Sequence, residues 1–345
     1  MTTRLDAVVR SLAGPFAFCA VGVSHHGARR FYMAGQYDAT PDTFWRAASI
    51  SKVVTGRTAY AAFSKAGIDP ANITAADLLD LPIYGPVGDP PTLAQIASHQ
   101  SGLWDNAGYH VPSDMALGAW ITAQGGAIWS GAAAGQRFEY CNLGYILLAA
   151  CAEQATGQRF DVLAQELVLG PMGVQAGYNW VGLPDTLPVL PTFRRDGAAF
   201  VPQVDAPRQD ADAGTPVLHT ARLSPQGGLR LSLTGALTLA EHLPDGPAMA
   251  LWYADPVRTI NSDGLFQDYG WGMQILPDPP FYPRPLIGHF ANAYGFCGGV
   301  WWDAQAETAF TYTFNGLAMG DDDNALRVEE ATIFNAIAQE AGQVL

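Results

Sequence analysis

Lysine, positive charge and long apolar runs are scarce in this sequence. The 345 residues contain only two lysines, Lys52 and Lys65, and 18 basic against 32 acidic side chains give a formal net charge of −14. Because this balance repels phosphate backbones and anionic lipid surfaces, we exclude nucleic acid as a partner. No run of about 18 apolar residues occurs, so no membrane-spanning helix is predicted.

Cysteine is also sparse, and its spacing excludes two further kinds of protein. The four cysteines form no CxxC pair and no cluster with histidine. This predicts neither a disulfide framework nor a metal site, and no cofactor is expected; reduced, buried thiols are the favoured interpretation. Only 14% of the residues are charged, whereas 37 glycines and 24 prolines indicate many turns. With 49% hydrophobic residues, the chain can form one large domain or two closely packed ones.

The beginning of the chain predicts a short helix followed by a β-hairpin. Residues 1–13 alternate like an amphipathic helix, and residues 16–24 and 29–35 resemble two strands around His26-Gly27. No clear small-residue cleavage site follows the apolar run at 15–23, so a strand explains this run better than a signal peptide does. We therefore expect a cytoplasmic protein, with a processed periplasmic form as the alternative.

The rest of the chain divides into a helical middle and a second group of strands. Helix-like stretches and Gly/Pro-rich connectors fill residues 66–250, whereas Tyr269 to Leu276 is typical of a strand. Residues 295–302 and 307–314 predict an antiparallel hairpin. An amphipathic helix from about Asn324 closes the chain. Its apolar stripe contains Leu326, Ile333, Phe334 and Ile337.

Strands near both chain ends, around a helical middle, predict one sheet that both termini complete. The expected fold class is α/β (α+β), with an antiparallel sheet flanked by helices and an inserted, mainly helical domain. Residues 1–65 and 251–345 are assigned to the sheet domain, and residues 66–250 to the insertion.

An SxxK tetrad, Ser49-Ile50-Ser51-Lys52, supplies a candidate nucleophile and base at the start of a helical pattern that continues to Phe63. The i,i+3 spacing sets Ser49 Oγ and the Lys52 amine on one helix face, where the amine can accept the hydroxyl proton. A serine in the first helical turn also has a backbone N–H that can face a developing oxyanion. A desolvated lysine, unlike arginine, can lower its pKa and act as a base. Taken alone, so short a pattern also arises by chance.

A second candidate pair, Tyr140 and Asn142, precedes a helical run that begins at Leu143. In an extended loop, residues i and i+2 project to the same side, so both side chains can face one cleft. A phenol whose pKa is lowered by a nearby ammonium can take a proton from serine and return it to the leaving group, and an amide can orient substrate or lysine. The pattern alone also fits a helix start with a buried tyrosine and an asparagine cap.

The segment from Gly288 to Phe296 supplies a third group of candidates, His289, Ala291 and Asn292. A glycine-bounded strand edge would let a substrate backbone approach and pair with it. The same segment also fits a turn-rich connection between strands, with a histidine at the surface.

In their order, Ser49-x-x-Lys52, Tyr140-x-Asn142 and His289-x-Ala291 resemble the three motifs of the class C β-lactamase, DD-peptidase and family VIII esterase group of serine hydrolases. The likeness extends over about residues 16 to 340. Motif order and spacing together make it far more specific than any single motif. Further stretches similar to segments of that group are residues 44–52, 98–103, 156–173 and 226–229.

This resemblance implies a role for each motif residue. Ser49 would be the acylated nucleophile, Lys52 and Tyr140 would share its proton, and Asn142 would contact the substrate. The N–H groups of Ser49 and Asn292 would form the oxyanion hole. Because Lys52 and Tyr140 would titrate as a coupled pair, the sequence leaves open which of them is the base. His99, in the loop at 98–103, is expected to hold the backbone instead of touching substrate.

The third motif departs from the pattern of that group, which is commonly KTG or HTG and helps to recognise the carboxylate of a β-lactam or D-Ala-D-Ala peptide. Here it is His289-Phe290-Ala291. A neutral histidine is a weaker anion partner than lysine, phenylalanine donates no side-chain hydrogen bond, and Ala291 restricts close backbone approach. Since charge-assisted bonds contribute roughly 1.5 to 3 kcal/mol each, their loss costs about one to two orders of magnitude in affinity. Arg284 is a nearby cation that could compensate.

Three functions remain open at this point. The leading hypothesis is a serine hydrolase that acts on an ester or amide through an acyl-enzyme on Ser49 and is a poor β-lactamase. The second is a β-lactamase, DD-peptidase or D-aminopeptidase proper. The third is a ligand-binding or scaffold protein of the same fold with reduced catalysis. The expected partner is a small ester, amide or peptide substrate, and the sequence predicts no particular oligomeric state.

Overall fold

The computed structural model describes residues 3–112, 114–208, 221–245, 265, 268–321 and 325–342. Within these residues the helices are α1 Arg4–Leu12, α2 Ser51–Lys65, α3 Ala75–Leu79, α4 Leu93–Ala97, α5 Leu117–Gln124, α6 Asn142–Thr156, α7 Phe160–Ala164, α8 Leu233–Glu241 and α9 Val328–Gly342. The strands are β1 Phe18–His25, β2 Ala28–Gly35, β3 Phe44–Arg46, β4 Ala176–Tyr178, β5 Thr192–Asp196, β6 Ala199–Val204, β7 Leu229–Ser232, β8 Asp268–Tyr269, β9 Gln274–Leu276, β10 Leu286–Ala293, β11 Phe296–Asp303, β12 Thr308–Asn315 and β13 Leu317–Ala318. Shorter turns of helix lie at Ala48–Ile50, Asp105–Ala107, Gly125–Ile128 and Gln165–Leu169.

Seven antiparallel strands form the main sheet, in the order β2-β1-β12-β11-β10-β9-β8. β1, from the beginning of the chain, pairs along its whole length with β12, from near its end, so that Phe18 lies opposite Asn315 and His25 opposite Thr308. Both ends of the chain therefore complete one antiparallel sheet, and the predicted fold class is confirmed.

The predicted hairpin between the first two strands is also confirmed. His26 and Gly27 both have positive φ angles, +48° and +79°. Two central residues in this conformation characterise a type I′ turn, whose twist matches that of the flanking strands. The turn chemistry at His26-Gly27 thus sets the pairing of β1 with β2.

The two faces of the main sheet are covered by different helices. Alternate residues of a strand point to opposite faces, and Phe18 and Ala20 of β1 accordingly join the core that contains α2 and α8. Cys19 and Val21 join a second core, which contains α1 and α9. All four cysteines of the chain are buried free thiols, as the sequence predicts.

The middle of the chain is built around α6, which packs against α2, α3, α4 and α7. Two small sheets, with the orders β3-β7-β4 and β13-β5-β6, were not predicted from the sequence. They join strands β4 to β7 of this middle part to β3 and β13 from outside it. Helix α8, placed in the insertion by the sequence analysis, packs against β1, β11 and β12 of the main sheet. We keep the two-domain division as a proposal, with α8 on the side of the sheet. The boundary at residues 250 and 251 and the helix start near Asn324 lie outside the described residues.

One strand prediction near the end of the chain needs correction. The expected strand from Tyr269 to Leu276 is two short strands, β8 and β9, separated by a turn with a positive φ at Gly272. Of the two interpretations of the third motif, the strand edge is confirmed and the turn-rich connection is wrong, because the motif lies within β10. The predicted hairpin of 295–302 and 307–314 is confirmed as β11 and β12. Among the described helices, none has both the length and the apolar character required to cross a membrane.

Candidate active site

A cleft of about 480 Å³ lies where the short helical turn Ala48–Ile50 packs against β10. Lys52 is fully buried in the first turn of α2, next to this cleft. The other residues singled out from the sequence line the cleft directly: Ser49, Tyr140, Asn142, His289, Ala291 and Asn292. The structure therefore brings the three motifs together, while the role of each residue stays a prediction.

The segment that carries Ser49 is not a regular helix start. The α-helix begins at Ser51, and Ala48 has a φ of +46°, a left-handed conformation that costs a residue with a side chain roughly 1 to 2 kcal/mol. The Ser51 hydroxyl stabilises this geometry, because it donates to the Ala48 carbonyl at 2.6 Å and accepts the Leu229 N–H at 3.0 Å. Ser49 is consequently presented at the cleft, ahead of the helix proper.

The Lys52 amine lies beside the nucleophile and has a strongly lowered pKa. Its Nζ contacts three oxygens, Ser49 Oγ at 3.2 Å, Asn142 Oδ1 at 2.7 Å and the Gln226 carbonyl at 2.8 Å. Burial lowers the pKa of Lys52 to about 7, and the Asp105 carboxylate opposes this lowering. A large fraction of the amine is therefore neutral near pH 7 and able to accept a proton from Ser49.

Tyr140 behaves differently from the sequence expectation. Its hydroxyl hydrogen-bonds with Ser49, yet burial raises the pKa of Tyr140 well above its ordinary value. The Lys52 amine lies 4.8 Å from the ring centroid. The expectation of a lowered pKa is wrong, because the loss of hydration at the buried phenol outweighs the Ser49 hydrogen bond, which lowers it. Tyr140 is thus a proton donor at neutral pH.

Sequence reasoning missed Asp105, which fixes the second motif. One carboxylate oxygen accepts the backbone and side-chain N–H groups of Asn142, both at 2.8 Å, and the other accepts the Leu143 N–H at 3.1 Å. Asp105 therefore caps the N-terminus of α6 and turns the Asn142 amide so that its oxygen faces Lys52. Because Asp105 and Asn142 are 37 residues apart, no local pattern indicates this contact.

The backbone carbonyl of Gln226 is a partner of Lys52 that the sequence did not predict. Two side chains of α2 fix the turn around it. Thr55 donates to the Pro225 carbonyl at 2.6 Å, and Ser51 accepts the Leu229 N–H. The segment at residues 226–229, similar in sequence to a segment of the hydrolase group, thus holds an oxygen against the buried amine.

The opposite wall of the cleft is an edge of β10. Strand β9 pairs with β10 only as far as Gly288, so beyond this residue the edge has no neighbouring strand among the described residues. On this edge the Phe290 N–H donates to Gln274 Oε1 at 2.6 Å. Because alternate residues of a strand direct their N–H groups to the same edge, the Asn292 N–H points the same way. This direction fits the predicted oxyanion hole.

His289 is neither at the surface nor charged. It is only 1% exposed, and its Nε2 lies 2.8 Å from the Tyr269 hydroxyl while its Nδ1 contacts the Phe290 carbonyl. These partners assign the proton to Nδ1. Burial, with a further contribution from Lys52, lowers the pKa of His289 to about 3. The alternative of a surface histidine is therefore wrong, since both ring nitrogens have partners inside the wall.

Two other sequence candidates are settled by their contacts. His99 accepts the Cys141 N–H at 3.1 Å through Nδ1, which confirms its expected backbone-holding role. Arg284 pairs with Asp303, also donates to the Tyr282 hydroxyl at 3.0 Å, and does not line the cleft. It therefore does not supply the missing cation of the third motif.

A serine hydroxyl held against a buried amine and a protonated phenol, at the edge of a cleft, is the arrangement of a serine hydrolase. The chain belongs to the β-lactamase family, whose family model matches residues 9–332. This confirms the resemblance drawn from the three motifs. No curated protein matches the sequence.

Solved structures with a similar fold cover nearly the whole chain. The D-amino acid amidase from Ochrobactrum anthropi SV3, complexed with D-phenylalanine, has 16% identity and a TM-score of 0.74, with 99% of this chain and 98% of that chain covered. The octameric penicillin-binding protein homologue from Pyrococcus abyssi has 18% identity and a TM-score of 0.72, with 95% and 74% covered. SurE with D-Leu has 19% identity and a TM-score of 0.68, with 98% and 74% covered. At these identities the likeness shows the shared fold.

Proposed function

We propose that this serine hydrolase cleaves small esters or amides through an acyl-enzyme on Ser49. The observation that carries the proposal is the Lys52 amine, fully buried, with a pKa lowered to about 7 and its Nζ 3.2 Å from Ser49 Oγ. A general base is most effective when its pKa lies near the working pH. Lys52 fits this requirement better than Tyr140, whose pKa is raised by burial.

In the acylation step, neutral Lys52 takes the Ser49 proton as the serine oxygen bonds to the substrate carbonyl carbon. Tyr140 donates its proton to the departing alcohol or amine and regains one from the Lys52 ammonium. The N–H groups of Ser49 and Asn292 stabilise the oxyanion, a contribution of about 3 to 4 kcal/mol per donor in related chemistry. Water then attacks the acyl-enzyme with the same groups acting in reverse order.

The third motif supports a preference against β-lactams. His289 is neutral because of its low pKa, and the Phe290 ring packs between Trp301 and Phe281 in the core that contains α9. Neither side chain offers a positive charge or a hydroxyl to a carboxylate on this wall. An ester or amide that needs no carboxylate contact at this position is the better substrate. The residues proposed to contact it along the cleft wall are Asn142, His289, Ala291 and Asn292.

A second candidate substrate is the amide of a D-amino acid. It is favoured by the names of two similar structures, the D-amino acid amidase from Ochrobactrum anthropi SV3 and a D-stereospecific amidohydrolase from Streptomyces sp.. Both proteins share the fold over at least 90% of this chain.

For either substrate we keep the cytoplasm as the proposed location, because β1 accounts for the apolar run near the beginning of the chain.

Intact-mass analysis after exposure to a fluorophosphonate and, separately, to a penicillin tests the acyl-enzyme. We expect stoichiometric fluorophosphonate labelling of the natural chain and none of Ser49→Ala. We also expect the penicillin adduct to form slowly. The absence of labelling would refute catalysis at Ser49 and favour the scaffold alternative, and an acyl adduct that never turns over would favour a ligand sensor.

Comparison of turnover rates then separates the substrate classes. We expect p-nitrophenyl acetate to be hydrolysed with a kcat/KM at least about tenfold above that for nitrocefin, from the missing carboxylate contact. The amides of D- and L-phenylalanine test the second candidate. Nitrocefin turnover as fast as ester turnover would show that the enzyme is a β-lactamase in spite of its third motif.

A further inference from the structure

Arg46 lines the same cleft, three residues before the proposed nucleophile, and its side chain is held at two points. Nε donates to the Gly227 carbonyl at 2.9 Å, and the guanidinium carbon lies 4.6 Å from the centre of the Tyr294 ring. A guanidinium has five N–H donors, so this arrangement fixes the group while leaving its terminal nitrogens for another acceptor. Neither contact neutralises the positive charge.

The charge around Arg46 is unbalanced. Arg46 lies opposite Arg230 in the β3–β7 pair, and the carboxylate that acts on both is that of Asp205. Both oxygens of Asp205 are bound by Arg230, at 3.1 and 3.0 Å, and one of them also accepts the Trp180 indole N–H at 2.8 Å. Within the described residues Arg46 therefore has no ion pair. Burial and Arg230 lower the pKa of Arg46 to about 10, which still leaves it charged at neutral pH.

Two phenols complete this part of the cleft. Tyr109 and Tyr294 both line it and are 36% and 42% exposed, so their hydroxyls are accessible to a ligand. Tyr294 lies in the tight turn after β10, with a φ of +56°, two residues beyond Asn292 in the chain. Arg46 and Tyr294, which contact each other, therefore lie by the turn after Asn292, whereas His289 precedes Asn292 on β10. A partly buried cation without a carboxylate partner is costly unless a ligand supplies one.

We propose that Arg46, with Tyr109 and Tyr294, binds a carboxylate of the substrate, so that the preferred substrates are esters or amides that carry a second, anionic group several bonds from the scissile carbonyl. The inference rests on the proposed hydrolysis at Ser49 and narrows its substrate class. It also places the carboxylate contact at a different position from the third motif. Arg46 would be a specificity-determining residue, with no part in proton transfer.

The test compares each anionic substrate with its neutral methyl ester. Mono-p-nitrophenyl glutarate carries the carboxylate on the acyl side, and 4-acetoxybenzoate carries it on the leaving group. Arg46→Gln is expected to reduce kcat/KM for one of these anionic substrates by about 10- to 100-fold, mainly through KM, because a charge-assisted hydrogen bond is lost. The matched methyl ester should change by less than about threefold. Arg46→Lys should restore part of the loss, and Arg30→Gln, which removes an exposed charge on β2, should have no such effect.

Equal losses for anionic and neutral substrates would overturn the proposal, because Arg46 would then only support the turn at Gly227. Unchanged kinetics for both anionic substrates would overturn it as well. Failure of the hydrolysis itself is recognised separately, by the absence of turnover and of fluorophosphonate labelling in the natural chain. In that case, calorimetric titration of Ser49→Ala with monomethyl glutarate, with and without Arg46→Gln, still decides whether the anion site exists: Arg46-dependent binding supports it, and no binding refutes it.

Discussion

Lys52 and Lys65 offer a matched pair of substitutions, because the first is fully buried behind Ser49 and the second is exposed at the end of α2. Arginine stays protonated where lysine can lose its proton. Lys52→Arg is therefore expected to reduce kcat/KM for p-nitrophenyl acetate by about 10² to 10⁴, the usual contribution of a general base. Lys65→Arg should leave the rate unchanged. A Lys52→Arg enzyme with more than about a tenth of the natural activity would exclude Lys52 as the base.

The pH dependence of activity tests the electrostatics around Lys52. Since neutral Lys52 is the proposed base, kcat/KM should rise with pH through an acid limb near pH 7. The Asp105 carboxylate raises the pKa of Lys52, so Asp105→Asn should move this limb to lower pH.

The measurement is the pH profile of kcat/KM for a neutral ester, with Asp114→Asn, an exposed aspartate, as the control. A limb that stays in place or moves to higher pH in Asp105→Asn would contradict the proposed coupling. The pKa of Lys52 would then depend on burial alone.

The reactive residues themselves could be predicted from the sequence, because each motif is short and its geometry is local. The i,i+3 spacing brings Ser49 and Lys52 together, and the extended Cys141 lets Tyr140 and Asn142 face one side. What could not be predicted depends on contacts between distant segments. The raised pKa of the Tyr140 phenol is of this kind, as is the Asp105 cap.

Among the elements, the hairpins β1–β2 and β11–β12 were predictable, whereas for β10 the sequence left a strand edge and a turn-rich connection both open. The turn at His26-Gly27 contains a glycine between two strand-like stretches, and both turn residues have positive φ angles. Strand β10 lacks regular alternation of buried and exposed residues and contains Gly288, which resembles turn punctuation. In the structure this glycine is required by packing, since a Cβ there would lie 2.0 Å from the Val300 carbonyl of β11. A glycine selected for close approach cannot be distinguished in a single sequence from one selected for a turn.

The position of α2 depends on another close approach, which gives a prediction at the scale of the element. Gly272 has a φ of +79°, and a Cβ there would lie 1.9 Å from the Lys52 carbonyl oxygen. Gly272→Ala should therefore displace α2, reduce kcat/KM and lower the unfolding free energy by more than the roughly 1 to 2 kcal/mol of a left-handed alanine.

Gly67→Ala is the matched control for this substitution. Gly67 has a φ of +70° just after α2, and a Cβ there would meet nothing within 4 Å. It should lose only about 1 to 2 kcal/mol of stability and retain full activity. Denaturant titrations and ester kinetics on both variants make the comparison, and equal effects at the two glycines would show that the contact with Lys52 is unimportant.

At the scale of the whole molecule, the pairing of β1 with β12 joins the two ends of the chain within the main sheet. The cleft contains Ser49 and β10 from the sheet side and Tyr140 and Asn142 from the α6 side. Neither part alone therefore contains a complete site. Because the reacting groups lie on elements of both parts, we expect activity to be lost as soon as the sheet unfolds.

Phe334 on α9, which does not itself line the cleft, provides a test of this coupling. It is fully buried, and its ring contacts those of Phe281, Phe310 and Tyr312 at 5.0, 5.5 and 5.5 Å between centroids. Phe334→Ala should lower the unfolding free energy by about 3 to 5 kcal/mol, from lost burial and the cavity left behind. Activity of the folded variant should remain within about threefold of the natural enzyme.

The measurement follows circular dichroism, tryptophan fluorescence and ester hydrolysis across one denaturant titration, with Val162→Ala as the control because Val162 is 37% exposed on α7. Coincident transitions that all shift in Phe334→Ala would indicate one cooperative unit. If the α6 side unfolded separately, a second spectroscopic transition should appear at higher denaturant, after activity is lost. That outcome would support the two-domain division as a thermodynamic one, because the helical part would then be stable without the sheet that completes its active site.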